Sequence, residues 1–156
     1  EVDYQVLVPL PRPKGAPRGE KPERPQVPQE AREVARWSNS ARAGLEFALL
    51  TGDFNPIHWI GPAARMAGFG AQILHGFGSA ARTSEALITH VCGGDVHGLE
   101  HLAMRFTHPL VLPGDAALFL TDDGAFTVGL EPGGVAFFTG TYRTRPPTPA
   151  DPGAQP

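Results

Sequence analysis

The chain has 156 residues, 41% of them hydrophobic, and a formal net charge of −3. This length suffices for one domain with a buried core. The charge gives no reason to expect a nucleic-acid or anionic-membrane partner, and no apolar run approaches the roughly 20 residues of a membrane helix. A lone cysteine, Cys92, excludes an intramolecular disulfide. We therefore expect a cytoplasmic protein, because a reducing compartment is the simplest setting for a chain with a single cysteine.

The composition of the chain changes at Pro9, from alternating apolar and polar residues to proline and charged residues. Residues 1–8 alternate apolar and polar side chains, which predicts a strand with Val2, Tyr4, Val6 and Val8 on one face. Seven of the 17 prolines then fall between positions 9 and 28, among charged residues. Since proline lacks an N–H and fixes φ, and little here is apolar, we predict an extended linker or surface crossing over residues 9–36.

Three helices are predicted after the linker, over residues 37–50, 62–66 and 73–91. Ser38 or Ser40 can cap the first helix, and Gly52 ends it. The third helix lies within the longest stretch without proline, residues 63–108, and one face is rich in small residues. Another element can therefore pack closely against it.

The rest of the domain predicts four strands joined by short turns, over residues 102–106, 117–121, 126–130 and 135–142. Asp122-Asp123-Gly124 is typical of a hairpin turn. Five more prolines over residues 146–156 indicate a disordered tail, so the domain spans residues 37–145. We predict an α+β fold in which an antiparallel sheet wraps around the third helix, because that buries the apolar face of both.

The residues suited to chemistry lie on both sides of the second helix. Asp53 and His58 are five residues apart, and a turn through Asn55-Pro56 can point both side chains to one place. With usual pKa values of about 3.9 and 6.5, the carboxyl is ionised at pH 7 and the imidazole is poised to exchange a proton. Asn55 can fix the turn by hydrogen bonding. Gly76, opening the third helix, can present a backbone N–H to a developing oxyanion.

These residues carry a resemblance to a known family. The segment is similar to the hydratase 2 motif of MaoC-like dehydratases, which have the hot-dog fold, at Phe47, Thr51, Gly52, Asp53, Asn55, Pro56, Ile57, His58 and Ala64. Gly68-Phe69, Ile73, His75-Gly76 and the Pro113-Gly114-Asp115 turn also fit. The resemblance covers residues 38–143. One departure is Trp59-Ile60, where many relatives place an acidic residue, and we expect it to change the lip of the site.

The resemblance implies reversible hydration of trans-2-enoyl thioesters to (3R)-3-hydroxyacyl thioesters, without a metal or redox cofactor. Coenzyme A or acyl carrier protein would carry the substrate. Asp53 and His58 would bind the water that adds to C3, and the backbone N–H of Gly76 would stabilise the thioester oxygen. A helix serine would help to hold the site residues in place. Ser84 is the best match for that serine, with Ser79 and Thr83 as alternatives. The resemblance also implies a homodimer or pairing with another hot-dog repeat. Residues 1–8 look like the last strand of such a preceding repeat.

Other patterns have simpler explanations. His97-Gly98-Leu99-Glu100-His101 matches a zinc-peptidase motif, but Gly98 interrupts the helix that such a site needs. We interpret His75 as a structural residue that opens the third helix, and Cys92 as inert. Three arginines could meet phosphates but are more simply solvated charges: Arg65, Arg82 and Arg105. An acyl thioesterase and a non-catalytic acyl-thioester-binding module remain the alternative functions.

Overall fold

The computed structural model of the chain describes residues 24–145. Within them lie five strands, β1 to β5, at Arg32–Asn39, Leu99–Phe106, Gly114–Leu120, Ala125–Gly129 and Phe138–Thr144. Three α-helices, α1 to α3, lie at Ala43–Thr51, Gly61–Met66 and Gly76–His90, and a 3-10 turn covers Pro56–His58. No helix in this part of the chain is long and apolar enough to cross a membrane.

The strands form one antiparallel sheet in the order β1-β3-β4-β5-β2. Helix α3 packs against this sheet, and Ala86 and Leu87 on the helix join a buried cluster with strand residues such as Leu118, Phe126 and Phe138. The predicted α+β architecture, with the sheet around the central helix, is confirmed. The start of α3 lies beside the segment between α1 and α2, where the candidate site is found.

Strand β3 is buried on both of its faces. Leu118 belongs to the cluster around α3, whereas Ala117 and Phe119, which alternate with it, pack with Val27 and Ala31 in a second cluster. Backbone hydrogen bonds with residues 133–136 attach the segment that carries Val27, including Val27 N–H to Gly134 O at 2.9 Å. We call residues 24–31 the crossing segment, because they cover the face of the sheet opposite α3.

The N-terminal boundary of the folded part differs from the prediction. The linker predicted to reach residue 36 instead contains the crossing segment and most of β1, and the helix expected from Trp37 begins at Ala43. Residues 32–39 pair with β3 along their length, although most of their side chains are exposed or half-buried. An edge strand with mixed polarity lacks the clear alternation that identifies a strand in a sequence. Residues 1–8 and 146–156 lie outside the described residues.

The other predicted helices and strands are confirmed with small shifts at their ends. Helix α1 stops at Gly52, which has a φ of +79° and whose N–H bonds to the carbonyl oxygen of Ala48. A positive φ suits glycine because it has no Cβ, so the residue expected to end the helix does so. Helix α3 starts at Gly76, three residues later than predicted, because the chain at Ile73 forms a bridge with Val111.

Candidate active site

A short turn between α1 and the 3-10 turn positions Asp53. One carboxylate oxygen of Asp53 accepts the N–H of Asn55 at 3.2 Å, and the side-chain oxygen of Asn55 accepts the N–H of Ile57 at 3.3 Å. The Asn55 side chain thus caps the 3-10 turn, as expected for this residue type. The indole N–H of Trp59 closes the segment by donating to the carbonyl oxygen of Phe54 at 3.2 Å. These bonds fix the backbone that runs from the carboxylate to the imidazole of His58.

His58 is buried, with 8% of the residue exposed, and its ring is oriented by the backbone. The Nδ1 atom lies 2.8 Å from the carbonyl oxygen of Ile73. Because a carbonyl can only accept, Nδ1 donates the hydrogen, and the neutral ring keeps its lone pair on Nε2. Burial lowers the pKa of His58, and the nearby ring of His75 lowers it further, against opposing effects of the Ile73 bond and Asp53. A neutral imidazole able to take a proton is therefore favoured at neutral pH.

His75 also lies in this site. Its Nε2 atom is 3.0 Å from the carbonyl oxygen of Asp53 and 3.9 Å from the Asp53 carboxylate. Its ring stacks on that of His58, with the ring centroids 3.6 Å apart and the planes inclined by 24°, and Phe47 packs on it from another side. The sequence indicated that His75 opens the helix, which is confirmed, but not this contact. The position of His75 directly before Gly76, the first residue of α3, was the sequence feature that could have indicated this contact.

Three side chains converge at this point. Asp53, His58 and His75 each offer an oxygen or nitrogen atom, and these atoms lie within 4.8 Å of one another. Such donors could hold a metal ion in principle. However, the ring nitrogen of His75 that lies near the Asp53 carboxylate is Nε2, which donates its hydrogen to the Asp53 carbonyl oxygen and so has no lone pair for a metal. The arrangement suits proton transfer through a shared water, and a metal-free site stays a prediction.

Gly76 is the first residue of α3, directly after the ring that stacks on His58. A Cβ at this position would lie 3.2 Å from the ring of Phe106, so any other residue here would require that ring to shift by a few tenths of an ångström. The first amides of a helix have no acceptor within the helix and carry partial positive charge. The start of α3 can thus offer an N–H to a developing negative charge beside the histidines.

Two of the three candidate supporting residues, Ser84 and Thr83, bond to α3 itself through their hydroxyls. Ser84 donates to the carbonyl oxygen of Ala80 at 3.0 Å, and Thr83 donates to that of Ser79 at 3.0 Å. Thr83 is fully buried and Ser79 nearly so. Hydroxyls that bond to the preceding turn are common in helices. The supporting role of Ser84 stays a prediction.

The remaining sequence candidates lie elsewhere. Leu99 to His101 belong to strand β2, so the zinc-peptidase motif does not form on a helix, as expected. Arg82 pairs with Glu85 on the surface at 3.2 Å. Burial raises the pKa of Cys92, with a smaller effect of Asp95, which fits an inert thiol. A cavity of about 220 Å³ between α3 and β1 includes none of the site residues and is lined by Trp37, Arg82, Glu85, Ala86, Thr89 and His90.

A family model described as "MaoC like domain" matches residues 18–122, well over half of the chain. The chain belongs to the MaoC-like domain family. It is 33% identical over 104 residues to 3-hydroxyacyl-thioester dehydratase Y of Mycobacterium tuberculosis, covering 65% of this chain and 35% of that protein. It is 28% identical over 103 residues to a probable enoyl-CoA hydratase 2 of Dictyostelium discoideum, with the same coverage. This MaoC-like chain thus spans about a third of the length of these two relatives.

Solved structures agree with the fold. A MaoC-like dehydratase from Phytophthora capsici superposes with a TM-score of 0.64 at 26% identity, covering 85% of this chain and 47% of that one. An (R)-hydratase from A. caviae superposes with a TM-score of 0.56 at 24% identity, covering 83% of this chain and 100% of that one. The second likeness shows the fold alone. The MaoC-like chain therefore has the hot-dog fold.

Proposed function

We propose that this chain catalyses the reversible hydration of trans-2-enoyl thioesters to (3R)-3-hydroxyacyl thioesters, with Asp53 and His58 as the acid–base pair. The observation that carries the proposal is the convergence of this carboxylate and this imidazole within 4.8 Å, beside the start of a helix. Membership of the MaoC-like family supports it, as do relatives named as a hydratase and a dehydratase.

The chemistry needs a water molecule shared by the two side chains. In the hydration direction, the water oxygen bonds to C3 while the electron pair of the C2–C3 double bond moves toward the thioester oxygen. A proton is then returned to C2 on the same face, so that one water is consumed and nothing else is released. The lone pair on Nε2 of His58, left free because Nδ1 bonds to Ile73, and the carboxylate of Asp53 can each exchange a proton with that water.

The Gly76 N–H would stabilise the thioester oxygen while it carries negative charge. Acid–base catalysis and one oxyanion donor are worth about 10²–10⁴-fold and 10²–10³-fold in rate, respectively. Because the carboxylate, the imidazole and the helix start are adjacent, all these contributions can act on one bound thioester. No redox cofactor or metal enters the proposed reaction, and coenzyme A or acyl carrier protein would carry the acyl group.

The chain would work paired with a second hot-dog unit, either another copy or a preceding repeat. The side chain of Asp53 is 58% exposed, and Leu50, Phe54 and Phe106 near the site are 81%, 48% and 50% exposed. Strand β2 forms an edge of the sheet, where another sheet can add. Light scattering with size exclusion should give twice the chain mass for a homodimer. A monomer that is active alone would contradict the pairing.

The test is a hydration assay with enoyl-CoA substrates of increasing length, followed by chiral analysis of the product. Asp53→Asn or His58→Ala should lower turnover by at least about a hundredfold with the fold retained. His97→Gln, on an exposed histidine outside the site, is the matched control. Thiol release from saturated acyl-CoA without loss of enoyl absorbance would instead indicate a thioesterase. Binding without turnover would indicate a non-catalytic module.

A further inference from the structure

One buried ring contacts both members of the proposed acid–base pair. The side chain of His75 is only 3% exposed, its Nε2 atom lies 3.0 Å from the Asp53 carbonyl oxygen, and its ring stacks on His58. The next residue along the chain is Gly76. His75 therefore contacts the backbone that carries the carboxylate and the ring that serves as base, and it adjoins the N–H proposed for the thioester oxygen.

The hydrogen-bond partners of His75 determine where its hydrogen lies. The Asp53 carbonyl oxygen can only accept, so Nε2 is the donor and carries the hydrogen. The Nδ1 atom is buried and has no hydrogen-bond partner among the described residues. A second hydrogen there would be a buried, unsatisfied donor on a cationic ring stacked against His58, which is costly. The His75 ring thus carries its hydrogen on Nε2, whereas the His58 ring carries its hydrogen on Nδ1.

This hydrogen bond ties an exposed turn to the core. Asp53 follows the left-handed Gly52, and its carboxylate accepts a local hydrogen bond from the N–H of Asn55. The bond to His75 joins the backbone of that turn to a buried residue at the start of α3. It therefore helps to set the position of the Asp53 carboxylate relative to the ring of His58.

We propose that His75 is a positioning residue for the Asp53–His58 pair, acting through the hydrogen bond from its Nε2 to the Asp53 carbonyl oxygen. The inference rests on the proposed function. A misplacement of about 1 Å in an acid–base pair can cost about a hundredfold in rate. Loss of this bond should therefore lower kcat far more than it raises KM, because the bond orients a reacting group and does not hold the substrate.

Two substitutions separate the hydrogen bond from the ring. His75→Gln keeps an N–H donor near the position of Nε2 and removes the ring, whereas His75→Phe keeps a buried aromatic ring and removes the donor. With crotonyl-CoA, we expect His75→Phe to lower kcat by about 10–100-fold with KM changed less than about threefold. His75→Gln should recover to within about tenfold of the unsubstituted chain, with the same pH profile. His97→Gln is the matched control.

Two kinetic results would overturn the inference. One is a folded His75→Phe variant, checked by circular dichroism, that turns over crotonyl-CoA at the rate of the unsubstituted chain. The other is a His75→Gln variant as slow as His75→Phe with both folded, because the ring and not the donor would then be required.

A measurement on the unsubstituted chain keeps the inference testable even where both variants fail to fold. Long-range ¹H–¹⁵N correlation spectra of ¹⁵N-histidine-labelled protein distinguish the two imidazole tautomers. We expect Nε2–H at His75 and Nδ1–H at His58. A His75 ring protonated on Nδ1 alone would overturn the inference whatever the activity. A chain that hydrates no enoyl thioester, yet shows the expected tautomers, would instead overturn the proposed function.

Discussion

Gly44 on α1 allows the helix to lie directly against the backbone of His58, and adding one methyl group should disturb the site. A Cβ at Gly44 would lie 2.8 Å from the carbonyl carbon of His58 and closer still to its carbonyl oxygen, whereas real Cβ atoms stay at least 3.0 Å from such neighbours. Neither partner is a flexible side chain, so α1 and the 3-10 turn must separate by an amount on the order of 1 Å. His58 moves with the 3-10 turn.

Gly44→Ala should therefore act on stability and on catalysis together. Overpacking of this kind lowers the free energy of unfolding by about 1–3 kcal/mol, or the Tm by roughly 2–12 °C for a chain of this size. A displacement of about 1 Å at the base should lower kcat by up to about a hundredfold. Gly70→Ala is the control, since nothing lies within 4 Å of a Cβ there. Thermal unfolding and crotonyl-CoA hydration measure both effects.

The two effects can be separated, and one result would refute the reasoning. A stability loss alone lowers the folded fraction, which is negligible well below Tm, so the loss in kcat should persist at low temperature. If Gly44→Ala keeps both the Tm and the kcat of the unsubstituted chain, as Gly70→Ala should, then α1 and His58 are not in the tight contact described.

Two more predictions concern His58 and the crossing segment. Because burial lowers the pKa of His58 from its usual value of about 6.5, and its neutral ring is the proposed base, the acidic limb of kcat/KM should have its midpoint below about pH 6.5. An acidic limb with a midpoint above about pH 6.5 would contradict this assignment. Val27→Ala removes two buried methyl groups and should lower the free energy of unfolding by about 1.5–3 kcal/mol with kcat within about twofold, as measured by urea unfolding and hydration assays. Val96→Ala, at a residue that is 64% exposed, should change neither, and an equal loss in both variants would be evidence against the second core cluster.

The sequence was most informative where backbone geometry restricts the residue type. Gly52 and Asn55-Pro56 predicted the end of α1 and the turn that follows it, because a positive φ and a side-chain cap each admit few residues. The motif that identified Asp53 and His58 lies on this same restricted backbone. Its residues could therefore be found without a structure.

The sequence was least informative where burial comes from distant residues. Val27 sits among prolines and charges, and nothing local indicates that it is 1% exposed. It is buried because its backbone forms hydrogen bonds with the turn at residues 131–136 and because its side chain packs against Phe119 on the second face of β3. Strand β1 was missed for a related reason, since its pairing with β3 and not its own polarity makes it a strand. Nonlocal pairing of this kind leaves little trace in a short window.

The same distinction applies inside the site. The sequence names the two histidines, but it cannot say which ring nitrogen of each carries the hydrogen. That is decided by two backbone carbonyls, of Ile73 for His58 and of Asp53 for His75, which lie 15 and 22 residues away along the chain. Because a carbonyl only accepts, the two bonds fix opposite tautomers and leave Nε2 of His58 as the ring nitrogen with a lone pair for the water. The identity of the proposed base can thus be found from the sequence, whereas the ring nitrogen on which it would accept a proton is set by the fold.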